Sequence, residues 1–173
     1  MSNNDLMQQF EEAKKLLRKG ADGDKNAVKL AHEKLVKLRE AAPADAVIEA
    51  YYGSSLALSA RDAVQPLDKA DMAQEGLTVL ARAVSMNPNQ KEIRMLRAYV
   101  CLKLPESYFH CSDTAIHDLT FLLDGYRENP RYLTQQQVAD IVEHLAEAYR
   151  NIGKPFDAKA AVQRRGATES KKK

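Results

Sequence analysis

Gly76-Leu77-Thr78-Val79-Leu80-Ala81-Arg82-Ala83-Val84-Ser85-Met86-Asn87-Pro88 reads as the second half of a helical hairpin. Gly76, Leu80 and Ala83 fall on one face of a helix, and Pro88 stops it. A tiny residue followed by apolar residues at the fourth and seventh positions marks a helix that a neighbour approaches closely. The pattern recurs. Ala31, Leu35, Leu38 and Pro43 repeat it with identical spacing. Ala115, Leu119 and Leu122 begin a third copy, whose proline, Pro130, comes three residues late, and Ala158 with Val162 opens a fourth. A recurring helical hairpin is a stacking unit, and stacks of hairpins make binding surfaces rather than catalytic pockets.

Outward from these four stretches, local signals predict eight helices. The first covers about 5–19, with Leu6, Phe10, Ala13, Leu16 and Leu17 on one stripe and Gly20 as its stop. The second follows an Asp24 cap and runs to about 41. Further helices are expected at about 45–60, 67–86, 91–103 and 113–124, the last ended by Gly125. Residues 106–112, with Tyr108 and Phe109, read as a loop that the aromatic pair plugs. Thr134 with Gln137 forms a capping box that opens a seventh helix, and Gly153-Lys154-Pro155 turns into an eighth that ends near Arg165. No stretch alternates with the period of a strand. The expected organisation is one all-α domain over 1–165 in four hairpins at about 5–41, 45–86, 91–125 and 135–165, with a disordered basic tail at 166–173.

The first helix of each hairpin carries its own small residue. Gly53 precedes Leu56, Ala98 precedes Cys101 and Ala146 precedes Tyr149; Gly53 lies ten residues after Pro43, and Ala98 ten after Pro88. This arrangement resembles the tetratricopeptide repeat family, most closely in Leu145-Ala146-Glu147-Ala148-Tyr149-Arg150-Asn151-Ile152-Gly153 followed by Ala158. Departures are clear: the Gly53 to Gly76 spacing is about eleven residues longer than a 34-residue repeat allows, the third hairpin is expanded, and Arg97 stands where the family is usually apolar. The resemblance implies a right-handed superhelical array with a concave groove lined by the first helix of each hairpin. Phase maps Ala50, Ser54 and Ala57, then Met95, Tyr99 and Leu102, then Asp140, Glu143, Glu147 and Arg150 onto that groove. The expected ligand is an unidentified protein segment, a peptide or helix, with an apolar side chain against Met95 and Tyr99 and a Lys or Arg against Glu143 and Glu147. Glu92, Met95 and Tyr99 stand where parts of the family's carboxylate clamp would lie, so acidic chaperone tails are not expected ligands.

Composition narrows the alternatives. Of 173 residues, 45% are hydrophobic and 29% charged, which suits a folded chain. A net charge of +2 with interspersed signs argues against a nucleic-acid footprint. An RNA-binding helical repeat would need basic residues gathered in the groove, and Arg94 and Arg97 are opposed there by Glu92. The N-terminal segment lacks the apolar core of a leader, and no run approaches a membrane span, so a cytoplasmic protein is expected. Self-assembly into a homo-oligomer is the rival reading within the same fold. The two cysteines, Cys101 and Cys111, form no disulfide framework, and Cys101 sits where a free thiol would act as a small apolar core residue. Cys101, His110, Cys111, Asp113 and His117 cluster without the paired close spacing of a zinc site, so no metal is expected. No nucleophile elbow or phosphate loop is present, so neither an enzyme nor a cofactor is expected.

Overall fold

A computed structural model describes residues 1–163 of the chain, and among these residues every regular element is helical. The elements are α1 (Asn3–Ala21), α2 (Lys25–Ala41), α3 (Ala46–Asp62), α4 (Pro66–Met86), α5 (Lys91–Lys103), α6 (Glu106–Phe109), α7 (Ser112–Glu128), α8 (Gln135–Asn151) and α9 (Ala158–Val162). Two compact units divide the chain at α5, Met1–Val100 and Cys101–Lys173.

In the first unit, caps set the helix starts. Asp24 accepts from the Ala27 amide and Asp45 from those of Val47 and Ile48, satisfying donors that have no partner inside the helix. The chain stops α2 before Pro43 and α4 before Pro88, as the prolines require. Helix α1 packs on α2, α2 on α3 and α3 on α4, with α1 also touching α3. Arg61, in the last turn of α3, donates to the carbonyls of Gly20 (2.8 Å) and Ala21 (3.3 Å) at the end of α1. Helices α1 and α3 therefore end at the same edge and run parallel, one hairpin stacked on the next.

Helices α3 and α4 cross backbone to backbone. A Cβ on Gly53 would lie 3.0 Å from the Gly76 carbonyl oxygen, and a Cβ on Gly76 would lie 2.9 Å from the Gly53 carbonyl oxygen. Each glycine thus makes room for the other's backbone, and Leu80, Val79 and Leu56 close around them. The apolar core holds Leu35, Leu38, Ile48 and Leu56 on one side of α3 and Ala50, Leu80, Ala83 and Ile93 on the other.

In the second unit, α7 packs on α8, and the short α9 touches both. Its core is Ala115, Leu119, Leu122 and Leu123 from α7 with Val138, Ile141, Leu145 and Ala148 from α8. The Thr134–Gln137 capping box is present.

Several expectations need correction. Gly20 lies one residue inside the end of α1 rather than beyond it, buried against Val28; the turn falls, as expected, in the 21–24 stretch, with Gly23 at φ +114°. Gly125 does not end α7 either; it leaves space for the Tyr132 ring, and the helix continues to Glu128. Residues 106–109 form a one-turn helix rather than an open loop. Cys101 is not a free thiol but is bonded to Cys111. Of the small residues marking close helix contacts, Ala31, Gly53, Gly76, Ala98 and Ala115 are buried, Ala146 is half-buried and Ala158 is exposed. Ala148, not Ala146, is the fully buried alanine of α8, because the core face runs through Val138, Ile141, Leu145 and Ala148. Helix α9 spans only five residues. Its expected end near Arg165 and the 166–173 tail lie outside the described residues.

Candidate functional site

The first unit carries two side-chain clusters that bridge helices. One lies where α1, α3 and α5 meet. Tyr51 donates its hydroxyl proton to Glu92 (2.5 Å) and packs edge-on against Phe10 at 5.3 Å between ring centroids. Lys14 sits over the Phe10 ring at 4.4 Å, pairs with Glu11 at 3.1 Å and reaches Glu92 at 4.0 Å. The cluster is an aromatic and carboxylate surround that holds a cation. Burial, reinforced by the hydrogen bond to Glu92, pushes the Tyr51 hydroxyl far above its ordinary value of 10.0. It stays a neutral donor, not a nucleophile.

The second cluster joins α2, α3 and α4. Glu49 is 1% exposed and accepts two hydrogen bonds from one edge of the Arg39 guanidinium, Nε at 2.6 Å and Nη2 at 2.9 Å, with Arg82 at 3.5 Å. Arg39 lies 4.5 Å over the Tyr52 ring, and His32 stacks against the same ring at 5.5 Å between centroids. His32 Nδ1 is 2.9 Å from Ser55 Oγ. That pair has the composition of a nucleophile and its base. Ser55 Oγ also lies 2.7 Å from the Tyr52 carbonyl, a second acceptor for its one hydroxyl proton, and the direction between Ser55 and His32 follows the His32 tautomer. Ser55 is fully buried as well.

Tyr51 and Tyr52 therefore divide their roles, one between neighbouring helices and one in the core. The groove residues expected on α3 fare differently. Ala50 is fully buried among Leu80, Ala83 and Ile93, and Ser54 is 5% exposed with no hydrogen-bond partner at its hydroxyl. Neither can touch a partner, and only Ala57 of that trio is half-buried. The physical reason is that α3 is covered on both sides. A signal was present: from Ala46 to Ala60 the sequence has one charge, Glu49, the mark of a helix buried nearly all round. Met95 and Tyr99 are half-buried on α5 in the first unit.

In the second unit, Leu102 is half-buried, Glu143 and Arg150 are exposed, and Asp140 and Glu147 are half-buried. Asp140 accepts from Gln136 at 2.9 Å, and its carbonyl meets His144 Nδ1. A cleft of 420 Å³ opens between α7, α8 and α9, floored by Leu123 and Leu145 and walled by the stacked rings of Tyr149 and Phe156. None of the ten expected groove residues lines it. Tyr108 does not plug its loop; it is 67% exposed, with Phe109 edge-on at 4.7 Å. Among the described residues no set of three or more His, Cys, Asp or Glu is placed to hold a metal ion, and both cysteine sulfurs are committed to the disulfide. No described helix is long and apolar enough to cross a membrane.

Comparison with protein-family models, curated proteins and solved structures gave no match.

Proposed function

We propose that this chain is a non-catalytic protein-interaction adaptor, built as a tetratricopeptide-like right-handed array of helix pairs. The observation that carries the reading is the reciprocal Gly53–Gly76 crossing beside the parallel pair α1 and α3, which stacks hairpin on hairpin in the first unit. The complete burial of Ser55, the hydroxyl beside His32, supports the non-catalytic part. The ligand is a peptide or helix of another protein that offers an apolar anchor and a Lys or Arg. In the first unit the contact face centres on Met95, Tyr99 and Glu92, with Ala50 and Ser54 removed from it. In the second, Glu143 and Glu147 on α8 receive the basic residue.

The test is a pull-down from native lysate with mass spectrometry, comparing wild type with Tyr99→Ala and with Glu143→Lys/Glu147→Lys. One specific partner is lost in both variants while helicity by circular dichroism is retained. An unchanged partner list moves the binding site elsewhere. A second reading, self-assembly, draws on Val64 (86% exposed) and Leu67 (78% exposed), two apolar side chains flanking the start of α4. Light scattering over a concentration series separates them: a constant monomer mass removes self-assembly.

A further inference from the structure

Cys101 lies in the last turn of α5 and Cys111 directly precedes α7; their Cα atoms are 5.0 Å apart across a sequence separation of ten. The bond closes a loop that contains Pro105, the four residues of α6, and His110 in the left-handed region at φ 49°. A helix of one turn cannot hold itself, because nucleation costs more than a single turn of hydrogen bonds returns. The loop has two ties. One is the disulfide. The other is polar: the Glu106 carboxylate accepts from the Ser112 amide at 2.9 Å and the Ser112 hydroxyl at 2.6 Å, and Asn151 of α8 donates to the same hydroxyl at 3.2 Å. Ser112 has no side-chain cap from Cys111, so Glu106 stands in as the cap of α7.

These ties are independent, and only one is covalent. We propose that the Cys101–Cys111 bond is a redox-operated lock on the α6 loop: closed, it fixes the Tyr108–Phe109 pair; opened, it leaves the second unit folded while the loop detaches. Ser107, Tyr108 and His110 face solvent, so a small dithiol reaches the bond after local opening alone. Cys111 is the more exposed cysteine, 6% against 1% for Cys101. A thiolate of the reductant attacks Sγ of Cys111, and Cys101 leaves as a thiolate that takes up a proton. The reductant's second thiol then displaces Cys111, leaving two protein thiols and an oxidised reductant. A disulfide oxidant reverses both steps. Since glutathione keeps most intracellular thiols reduced, the state of the lock follows the compartment.

The test uses the full chain, equilibrated either with excess oxidised glutathione or with dithiothreitol. Iodoacetamide labelling read by intact mass adds nothing to the oxidised protein and two groups to the reduced one. Brief chymotrypsin treatment, read as fragments ending at Tyr108 or Phe109, proceeds about tenfold faster after reduction, the change expected when a local opening equilibrium loses one of two ties. Far-UV circular dichroism is unchanged. The Cys101→Ser/Cys111→Ser variant cleaves at the fast rate in both conditions. Two labelled thiols after oxidation overturn the bond, equal cleavage rates overturn the lock, and loss of helicity on reduction makes the bond a structural staple instead.

Discussion

Arg39 and Glu49 form an ion pair whose two members are unequally buried. Glu49 is sealed in the core face of α3, whereas the Arg39 side chain keeps 30% of its surface in water. Their substitutions should therefore be unequal. Arg39→Ala leaves a buried carboxylate facing only Arg82, itself 57% exposed and 3.5 Å away, and removes the cation over Tyr52. A buried charge stripped of its partner costs about 3–5 kcal/mol. Glu49→Gln leaves a guanidinium that can turn to solvent and an amide oxygen that still accepts, so the loss is about 1 kcal/mol. Urea denaturation of both variants measures the difference, and equal losses would mean that Glu49 is better solvated than its position implies.

At the scale of elements, the fold of the first unit turns on two glycines that a propensity argument would replace. Gly→Ala inside an exposed helix gains about 0.5–1 kcal/mol from the unfolded state. At Gly76 the new Cβ would press on the Gly53 carbonyl oxygen at 2.9 Å, which is backbone and cannot swing aside. Overpacking of this kind costs about 1–3 kcal/mol, so Gly76→Ala should destabilise by about 1–2 kcal/mol in urea unfolding. A stabilised Gly76→Ala protein would mean that the two helices do not cross there. Gly20 and Gly125 teach the complementary lesson. Both read as helix stops, because glycine commonly ends helices. Both instead serve distant neighbours, Val28 and Tyr132, which no local rule could supply. Where a stop depends on a fixed backbone angle rather than on packing, as at Pro43 and Pro88, the reading holds.

For the molecule as a whole, two groups of the first unit shape the dependence of stability on pH, from opposite ends. Burial lowers the pKa of His32 from 6.5, so the folded chain binds its proton later than the unfolded chain does. The unfolded state then holds more protons, and stability falls as the pH drops below about 6.5. Tyr51 is shifted upward from 10.0, so above about pH 10 the unfolded state loses a proton that the folded state keeps, and stability falls again. Denaturation midpoints across pH should therefore form a plateau with both limbs descending. His32→Gln flattens the acid limb and Tyr51→Phe the alkaline one; limbs unchanged in these variants would place the linked protons elsewhere. The sequence alone determined that the chain is helical and where most helices start and stop, because period, caps and prolines act within a few residues of one another. Tertiary structure alone decided that α3 is covered on both sides, so that Ala50 and Ser54 lie inside, that Cys101 meets Cys111, and that Tyr108 faces water. Burial is fixed by what packs from elsewhere in the chain, and spacing along one helix carries no record of how many of its faces a neighbour will claim.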